Sequence, residues 1–441
     1  MYRAIAFSVG LTADLFYRRR QWGARVPTDG PVLLIANHPN ALADPALLLR
    51  VTSREIRSLA KEPLFRMPVI QWLVKGVRAI PVYRAKDGHD TSKNTEVFRA
   101  VTDALLHGDV VALFPEGISH DLPGLQPLKT GAARMVMDAL AKGGEAARLA
   151  VVPVGLTYRD KPQFRSDAYV HIGEPIAARA VVDDLTARGV DPVDGLTALF
   201  DERLRALTID LTRVDDAPLV DLIALFRGST RGSTRGSTRA GTVDPQETVR
   251  VANAARALST RDPARHARVR AAVQSFAEEL SARGLDAAHL DVRPTLPTLA
   301  WYVVRHTFAL VVGLPIAIVG ALAYAAPYVF LRVLPRLLRS PPDVVATVRI
   351  LGGLFVFPVW QVALSIALAL SVSTTSAVFF SVALPFAALY AHAHVRRRRR
   401  MVKDAIAFVR LALRPGERKK LLAARAALVE ELVQVERLLG E

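Results

Sequence analysis

The sequence predicts an α/β protein: a mixed sheet flanked by helices, followed by a helical segment and C-terminal membrane helices. Two observations carry this reading. Between about residues 31 and 175, short apolar runs of strand length alternate with helix-like stretches, the pattern of a sheet covered by helices. Farther on, 308–331 and 350–395 carry no charged side chain. Runs of that length suit a bilayer rather than a water-soluble core.

The elements follow in order. Residues 2–20 are read as an interfacial helix (domain 1–20): the apolar run 4–11 follows Arg3 and leads to Arg18-Arg19-Arg20, whose charge suits lipid headgroups. No signal-peptide cleavage site is evident, and a helix docked on the soluble domain is an equal alternative. Segments 31–36, 56–60, 79–83, 110–114, 150–156 and 169–172 read as strands. Segments 46–51, 64–74, 95–106 and 132–141 read as the helices between them. Together they give one α/β domain over 21–180. Residues 181–300 turn helical, charged and alanine-rich. Within them 227–241 repeats Arg-Gly-Ser-Thr, read as an exposed disordered loop because Gly and Ser are flexible and the arginines repel.

The membrane region is read as 301–400. Its first run, 308–331, contains Pro315 and Pro327; 350–395 forms a hairpin around Ser373-Thr374-Thr375-Ser376. Arg332, Arg336, Arg339 and Arg349 precede the hairpin and 396–400 follow it. Positive residues favour the cytoplasmic side, so 308–331 is expected to re-enter or break at its prolines, with a plain span as the alternative. The final segment, 401–441, is an amphipathic helix with a near-heptad stripe, Leu421, Leu428, Leu432, Val435 and Leu439, interrupted by Arg425. The stripe permits a coiled-coil homodimer; packing on the chain's own helices is preferred.

Composition narrows the partners. The 441 residues hold 58 Lys plus Arg against 41 Asp plus Glu, a net charge of +17, and are 51% hydrophobic. Nucleic acid and anionic membrane both suit such a charge. The apolar runs favour the membrane, and no aromatic-studded basic sheet points to RNA; nucleic acid is not expected. The absence of cysteine excludes disulfides, thiolate metal sites and a cysteine nucleophile.

The chemistry-bearing motifs sit at or near strand ends, where sites in such sheets gather. Asn37-His38-Pro39-Asn40 follows the strand 31–36, and Asp44 comes six residues after His38. Imidazole exchanges protons near neutral pH and can act as a general base. A carboxylate on its other nitrogen would orient it and stabilise the imidazolium. On a continuous helix this spacing would set the two side chains about 120° apart, so a turn at Pro39-Asn40 must fold the carboxylate back. Asp44-Pro45 also reads as a helix start, with Asp44 as N-cap. The later motifs are Ile80-Pro81-Val82-Tyr83-Arg84, Phe114-Pro115-Glu116-Gly117 and Val152-Pro153-Val154.

In order and content these four motifs resemble the glycerolipid acyltransferase family, over roughly residues 20–180. The family's commonest spacing leaves four residues between His and Asp; here five intervene, a form similar to a branch associated with the glycerol-3-phosphate step. The resemblance implies His38 as base, Asp44 as its orienter, and Arg84, Glu116 and Gly117 as the acceptor site. Lys61 and Lys129 match basic positions that would meet phosphate or the donor's pantetheine arm. Val152-Pro153-Val154 would shape a wall for the acyl chain. Glu116 repels phosphate, which leaves it to orient Arg84 or to accept a glycerol hydroxyl.

The implied reaction moves an acyl group from acyl-CoA or acyl carrier protein to glycerol 3-phosphate, with lysophosphatidate as the rival acceptor and a non-catalytic lipid-binding scaffold as the rival class. The implied setting is the bacterial inner membrane, with the catalytic domain facing the cytoplasm. No cofactor or metal is expected, the acyl thioester being a co-substrate. Ser119 and His120 are discounted as a nucleophile pair, since no Gly-x-Ser-x-Gly elbow is present.

Overall fold

The computed structural model describes residues 1–68, 70–83, 94–122, 124–209, 220, 223, 245–291 and 296–439. Arg84 and the repeat at 227–241 lie outside the described residues. The chain forms two compact units: Met1–Asp210 with Leu334–Leu354, and Leu211–Val333 with Phe355–Glu441.

The first unit opens with α1 (Tyr2–Phe16) and β1 (Tyr17–Gly23), then β2 (Val32–Ala36), α2 (Ala43–Leu48) and β3 (Ile56–Lys61). There follow α3 (Ile70–Gly76), β4 (Ile80–Val82), α4 (Asn94–Leu106), β5 (Val110–Leu113) and α5 (Gly131–Lys142). It continues with β6 (Ala150–Tyr158), β7 (Ser166–Ile172), β8 (Ile176–Ala177), α6 (Ala178–Ala187) and α7 (Pro192–Leu207). The strands form one sheet in the order β1-β7-β6-β2-β5-β3-β4, with β8 also on β6.

Strands β2, β3, β4, β5 and β6 run parallel, so their C-terminal ends share one edge. β7 is antiparallel to β6, and β1 is parallel to β7. All five residues of β2 are buried, as expected of a parallel strand covered on both faces. Leu33 and Ile35 enter the core under α4, α5 and α7; Val32, Leu34 and Ala36 enter the opposite core under α1 and α2. Pro153 is tolerated inside β6 because its carbonyl bonds Gly173 N–H. Its missing N–H therefore faces the gap where β7 gives way to β8.

Four sequence expectations change. Residues 17–20 are not the end of an interfacial helix but the start of β1, paired in register with β7. The three arginines disguised an edge strand: Arg18 and Arg20 pair with Asp167, and Arg19 bonds the Arg50 carbonyl. Charge on an edge strand guards against sheet extension. α1 itself docks through Ala6, Gly10, Ala13 and Phe16. Its other face leaves Phe7, Leu11 and Leu15 exposed. The second helix begins at Ala43 rather than 46, with Leu42 as N-cap, so Asp44 lies in its first turn. The segment 64–74 divides into a 3-10 turn, Glu62–Phe65, and α3. The unit also reaches beyond 180, since Leu196, Phe200 and Leu204 of α7 are buried in the core against the sheet.

The second unit contains α8 (Pro245–Arg261) and α9 (Pro263–Ala282). The long apolar helices are α10 (Leu296–Leu337), α11 (Val345–Ser371) and α12 (Thr374–Leu413), followed by α13 (Pro415–Leu439). Among the described residues, three helices, Ala300–Leu337, Val345–Ser371 and Thr374–Leu413, are long and apolar enough to cross a membrane. α10 runs unbroken through Pro315 and Pro327. The expected break is absent, in line with the tolerance of apolar helices for proline where neighbours satisfy the freed carbonyls. The stripe on α13 is occupied within the chain: Leu421, Leu428 and Val435 pack with Leu258, Val273 and Phe276. Arg425 pairs with Asp291.

Phe200 is 1% exposed. Phe200→Ala should destabilise the first unit by about 3–5 kcal/mol, read as a lowered midpoint in thermal unfolding of the detergent-solubilised protein. An unchanged midpoint would detach α7 from this core.

Candidate active site

The site grows from the common edge of the parallel strands. β2 ends at Ala36, and Asn37 continues its pairing through its side chain: the amide donates to the Leu156 carbonyl (2.9 Å) and accepts from the Leu156 N–H (2.7 Å). His38 therefore leaves the sheet at a fixed point. Its ring stacks on Phe114 from the end of β5, with centroids 3.9 Å apart and planes 11° apart.

The turn 39–42 then reverses the chain. Ala41 sits at φ 39°, a left-handed conformation that a side chain disfavours by roughly 1–2 kcal/mol. The turn returns Asp44 to the imidazole: Nδ1 lies 2.8 Å from Oδ2. The expectation that Pro39-Asn40 breaks helical continuity between the two residues matches this geometry.

Asp44 is fully buried and accepts three bonds. Oδ2 takes His38 Nδ1–H and the Asn40 backbone N–H (2.7 Å); Oδ1 takes the Tyr158 hydroxyl (2.6 Å). A buried carboxylate costs several kcal/mol unless its lone pairs are met. Burial first, then the negative charge of Asp44, pushes the Tyr158 phenol well above its usual range, so it stays a donor. Tyr17, buried in β1, is raised by the same two causes, burial foremost. Its hydroxyl donates to the Lys161 carbonyl and accepts from Asn40 Nδ2. With Nδ1–H directed at Asp44, the lone pair of His38 is on Nε2, and among the described residues Nε2 makes no hydrogen bond. The His38 side chain remains 13% exposed. Such an arrangement can orient a general base.

Glu116 is 2% exposed. Its Oε1 accepts the His38 backbone N–H (2.7 Å); its Oε2 accepts Gln126 N–H (2.9 Å) and the His120 Nε2–H. The carboxylate thus braces the end of β2 against the loop after β5, a role sequence reasoning did not include. Gly117 has φ 70°. A Cβ there would lie 2.8 Å from Lys129 Nζ, so glycine lets the Lys129 side chain cross this turn. Lys129 is exposed, leaving its ammonium accessible beside the Glu116-Gly117 turn.

Lys61 ends β3 on the same edge, two strands from β2, opposite Val82 of β4. The structure thus brings His38, Asp44, Glu116, Gly117 and Lys129 together and sets Lys61 farther along the edge. Arg84 follows β4 but lies outside the described residues. Val152 and Val154 are fully buried in the core of the sheet, which supports β2 from beneath the site. Ser119 and His120 do not pair with each other: Ser119 Oγ accepts the Ala41 N–H and donates to Asp343. Tyr17 and Tyr158 are the site residues missed in sequence; Asn40 was read only as part of the turn, without its bond to Tyr17. They are scattered polar residues whose meaning depends on the β1-β7-β6 pairing.

Residues 21–157 match the family model described as Acyltransferase. A stretch of 83 residues is 47% identical to glycerol-3-phosphate O-acyltransferase 2 of Saccharomyces cerevisiae, covering 19% of this chain and 11% of that protein. Over 248 residues the chain is 25% identical to glycerol-3-phosphate O-acyltransferase 1 of the same yeast, covering 36% of this chain and 32% of that protein. Over 153 residues it is 29% identical to lyso-ornithine lipid O-acyltransferase of Brucella abortus, covering 33% of this chain and 54% of that protein. The chain thus spans about half or less of the length of these relatives. Residues 21–157 are thus similar to an acyltransferase domain, and His38 and Asp44, bonded at the sheet edge, lie within that stretch.

Proposed function

We propose that this protein is a membrane-bound acyltransferase that transfers a fatty acyl group from acyl-CoA, or acyl carrier protein, to a hydroxyl of glycerol 3-phosphate. The observation that carries this is the His38–Asp44 bond of 2.8 Å, with Nε2 left open at the edge that also bears Gly117 and Lys129. The acceptor hydroxyl attacks the thioester carbonyl carbon while His38 Nε2 takes its proton. Asp44 holds the imidazolium through Nδ1–H. The tetrahedral adduct collapses, the carbon–sulfur bond breaks, and the sulfur leaves with the proton returned from Nε2. The products are an ester and a free thiol. The donor is an activated thioester, and the scheme draws on no metal or cofactor.

Lys129 and, in this reading, Arg84 neutralise the acceptor phosphate; a guanidinium grips phosphate by parallel hydrogen bonds. Lys61 is assigned to the phosphate-bearing arm of the donor. Glu116 is assigned to the architecture of His38, because its oxygens already accept three bonds. Three helices of membrane-spanning length and apolarity fit an enzyme whose product is a lipid. Its proposed location is a bacterial inner membrane, with the site facing the cytoplasm.

The second reading keeps the chemistry and changes the acceptor to a lysolipid, lysophosphatidate first. It draws on the similarity to an enzyme named for a lyso-lipid acceptor. Purified protein supplied with acyl-CoA and each acceptor separates the two: glycerol 3-phosphate should be acylated at the higher kcat/KM. Strong preference for a lysolipid would reverse the assignment.

Removing the base should be the severest change. His38→Ala is expected to lower kcat by about 100-fold or more, and Asp44→Asn to lower it strongly while the protein stays folded. Full transfer by His38→Ala would refute the mechanism. Arg84→Ala should raise KM for glycerol 3-phosphate at least tenfold with a smaller change in kcat, corresponding to loss of about 1.5–3 kcal/mol from a charge-assisted contact. An unchanged KM would remove Arg84 from the acceptor site.

A further inference from the structure

The turn that sets Asp44 against His38 is not held by its own neighbours alone. Ala41 is left-handed, and the N–H groups of Ala41 and Leu42 find partners outside the turn. Ala41 N–H donates to Ser119 Oγ at 2.9 Å. Leu42 N–H donates to Thr347 Oγ1 at 3.0 Å, a residue 305 positions away in sequence. Ser119 is in turn oriented by Asp343, whose Oδ2 accepts its hydroxyl at 3.0 Å.

Asp343 and Thr347 flank the N-terminus of α11 and belong to the first unit. Thr347 is 6% exposed, and Ala346 and Ile350 are buried in the same core as Ala43, Ala46 and Leu47 of α2. Arg349 adds a bond to the Pro162 carbonyl, and the neighbouring Lys161 carbonyl anchors Tyr17. The segment therefore reaches from the loop after β5, across the catalytic turn, to the loop between β6 and β7.

We infer that Asp343 and Thr347 are positioning residues for the acyl-transfer site, holding the 39–43 turn in the form that presents Asp44 to His38. The inference rests on the acyltransferase reading. Its physical basis is the strain at Ala41. Without Thr347 Oγ1, the Leu42 N–H is left without its partner, and the turn gains by relaxing out of the left-handed form. Asp44, in the first turn of the helix that Leu42 caps, then rotates away from Nδ1. Displacements of about 1 Å in a catalytic group can cost on the order of 100-fold in rate.

The test compares Thr347→Val, which keeps the shape and loses the acceptor, with Thr347→Ser, which keeps the hydroxyl, in the full-length protein. Thr347→Val should lower kcat about tenfold or more with KM for both substrates little changed, and Thr347→Ser should recover most of it. Asp343→Leu should show the same split, with Asp343→Asn, which retains an acceptor oxygen, close to the parent. Hydrogen exchange supplies a readout independent of turnover: peptides covering 40–43 should exchange faster in Thr347→Val than in Thr347→Ser. Equal kcat in Thr347→Val and the parent, equal losses in the Val and Ser variants, or unchanged exchange at 40–43 would each overturn the inference. If the parent acylates none of the acceptors, the functional reading fails instead, while the exchange comparison still decides whether Thr347 holds the turn.

Discussion

The site depends on one buried carboxylate. Asp44 has no exposed surface, so its charge is sustained by hydrogen bonds rather than water. Its three donors come from His38 at the end of β2, the backbone of Asn40 in the turn, and Tyr158 in β6. Satisfying the carboxylate therefore fixes a strand end, a turn and a neighbouring strand at once. It also fixes the histidine, because an acceptor at Nδ1 draws the proton there and leaves Nε2 basic. Stability and geometry are linked: the donors that make burial of Asp44 tolerable also hold the His38 ring in one orientation.

The parallel sheet supplies the rest by geometry. Parallel strands deliver their C-terminal ends to one edge, and loops there collect residues distant in sequence. Glu116 ties two of these ends together by accepting the His38 backbone N–H from across the β2–β5 pair. Gly117 adds space, since its missing side chain is where Lys129 passes. The result is an exposed lysine beside the turn that braces the imidazole.

Much of this was legible in the sequence because the signals are local. The strands around 31–36, 110–114 and 150–156 are dense apolar runs, and β2, β5 and β6 fall there. The spacing from His38 to Asp44 required a turn, which the structure places at 39–42. What was not legible depends on tertiary pairing. β1 carries three consecutive arginines and no apolar alternation, and it becomes a strand because β7 offers Asp167 beside it. Tyr17 and Tyr158 gain their roles only when that pairing draws them around Asn40 and Asp44. The helix expected to start with Asp44 as its cap begins one residue before it, because the carboxylate is engaged by His38 and the turn. Thr347 carried no signal at all, standing at the start of an apolar helix far down the chain.

The most direct test of the account is the tautomer of His38. Nitrogen-15 NMR of histidine-labelled protein, assigned by the resonance lost in His38→Gln, reports which ring nitrogen carries the proton in the neutral state. The account predicts protonated Nδ1 and bare Nε2, with the Nδ1 proton shifted strongly downfield by the Asp44 carboxylate. A neutral ring protonated at Nε2, or an Nδ1 signal unaffected by Asp44→Asn, would contradict it.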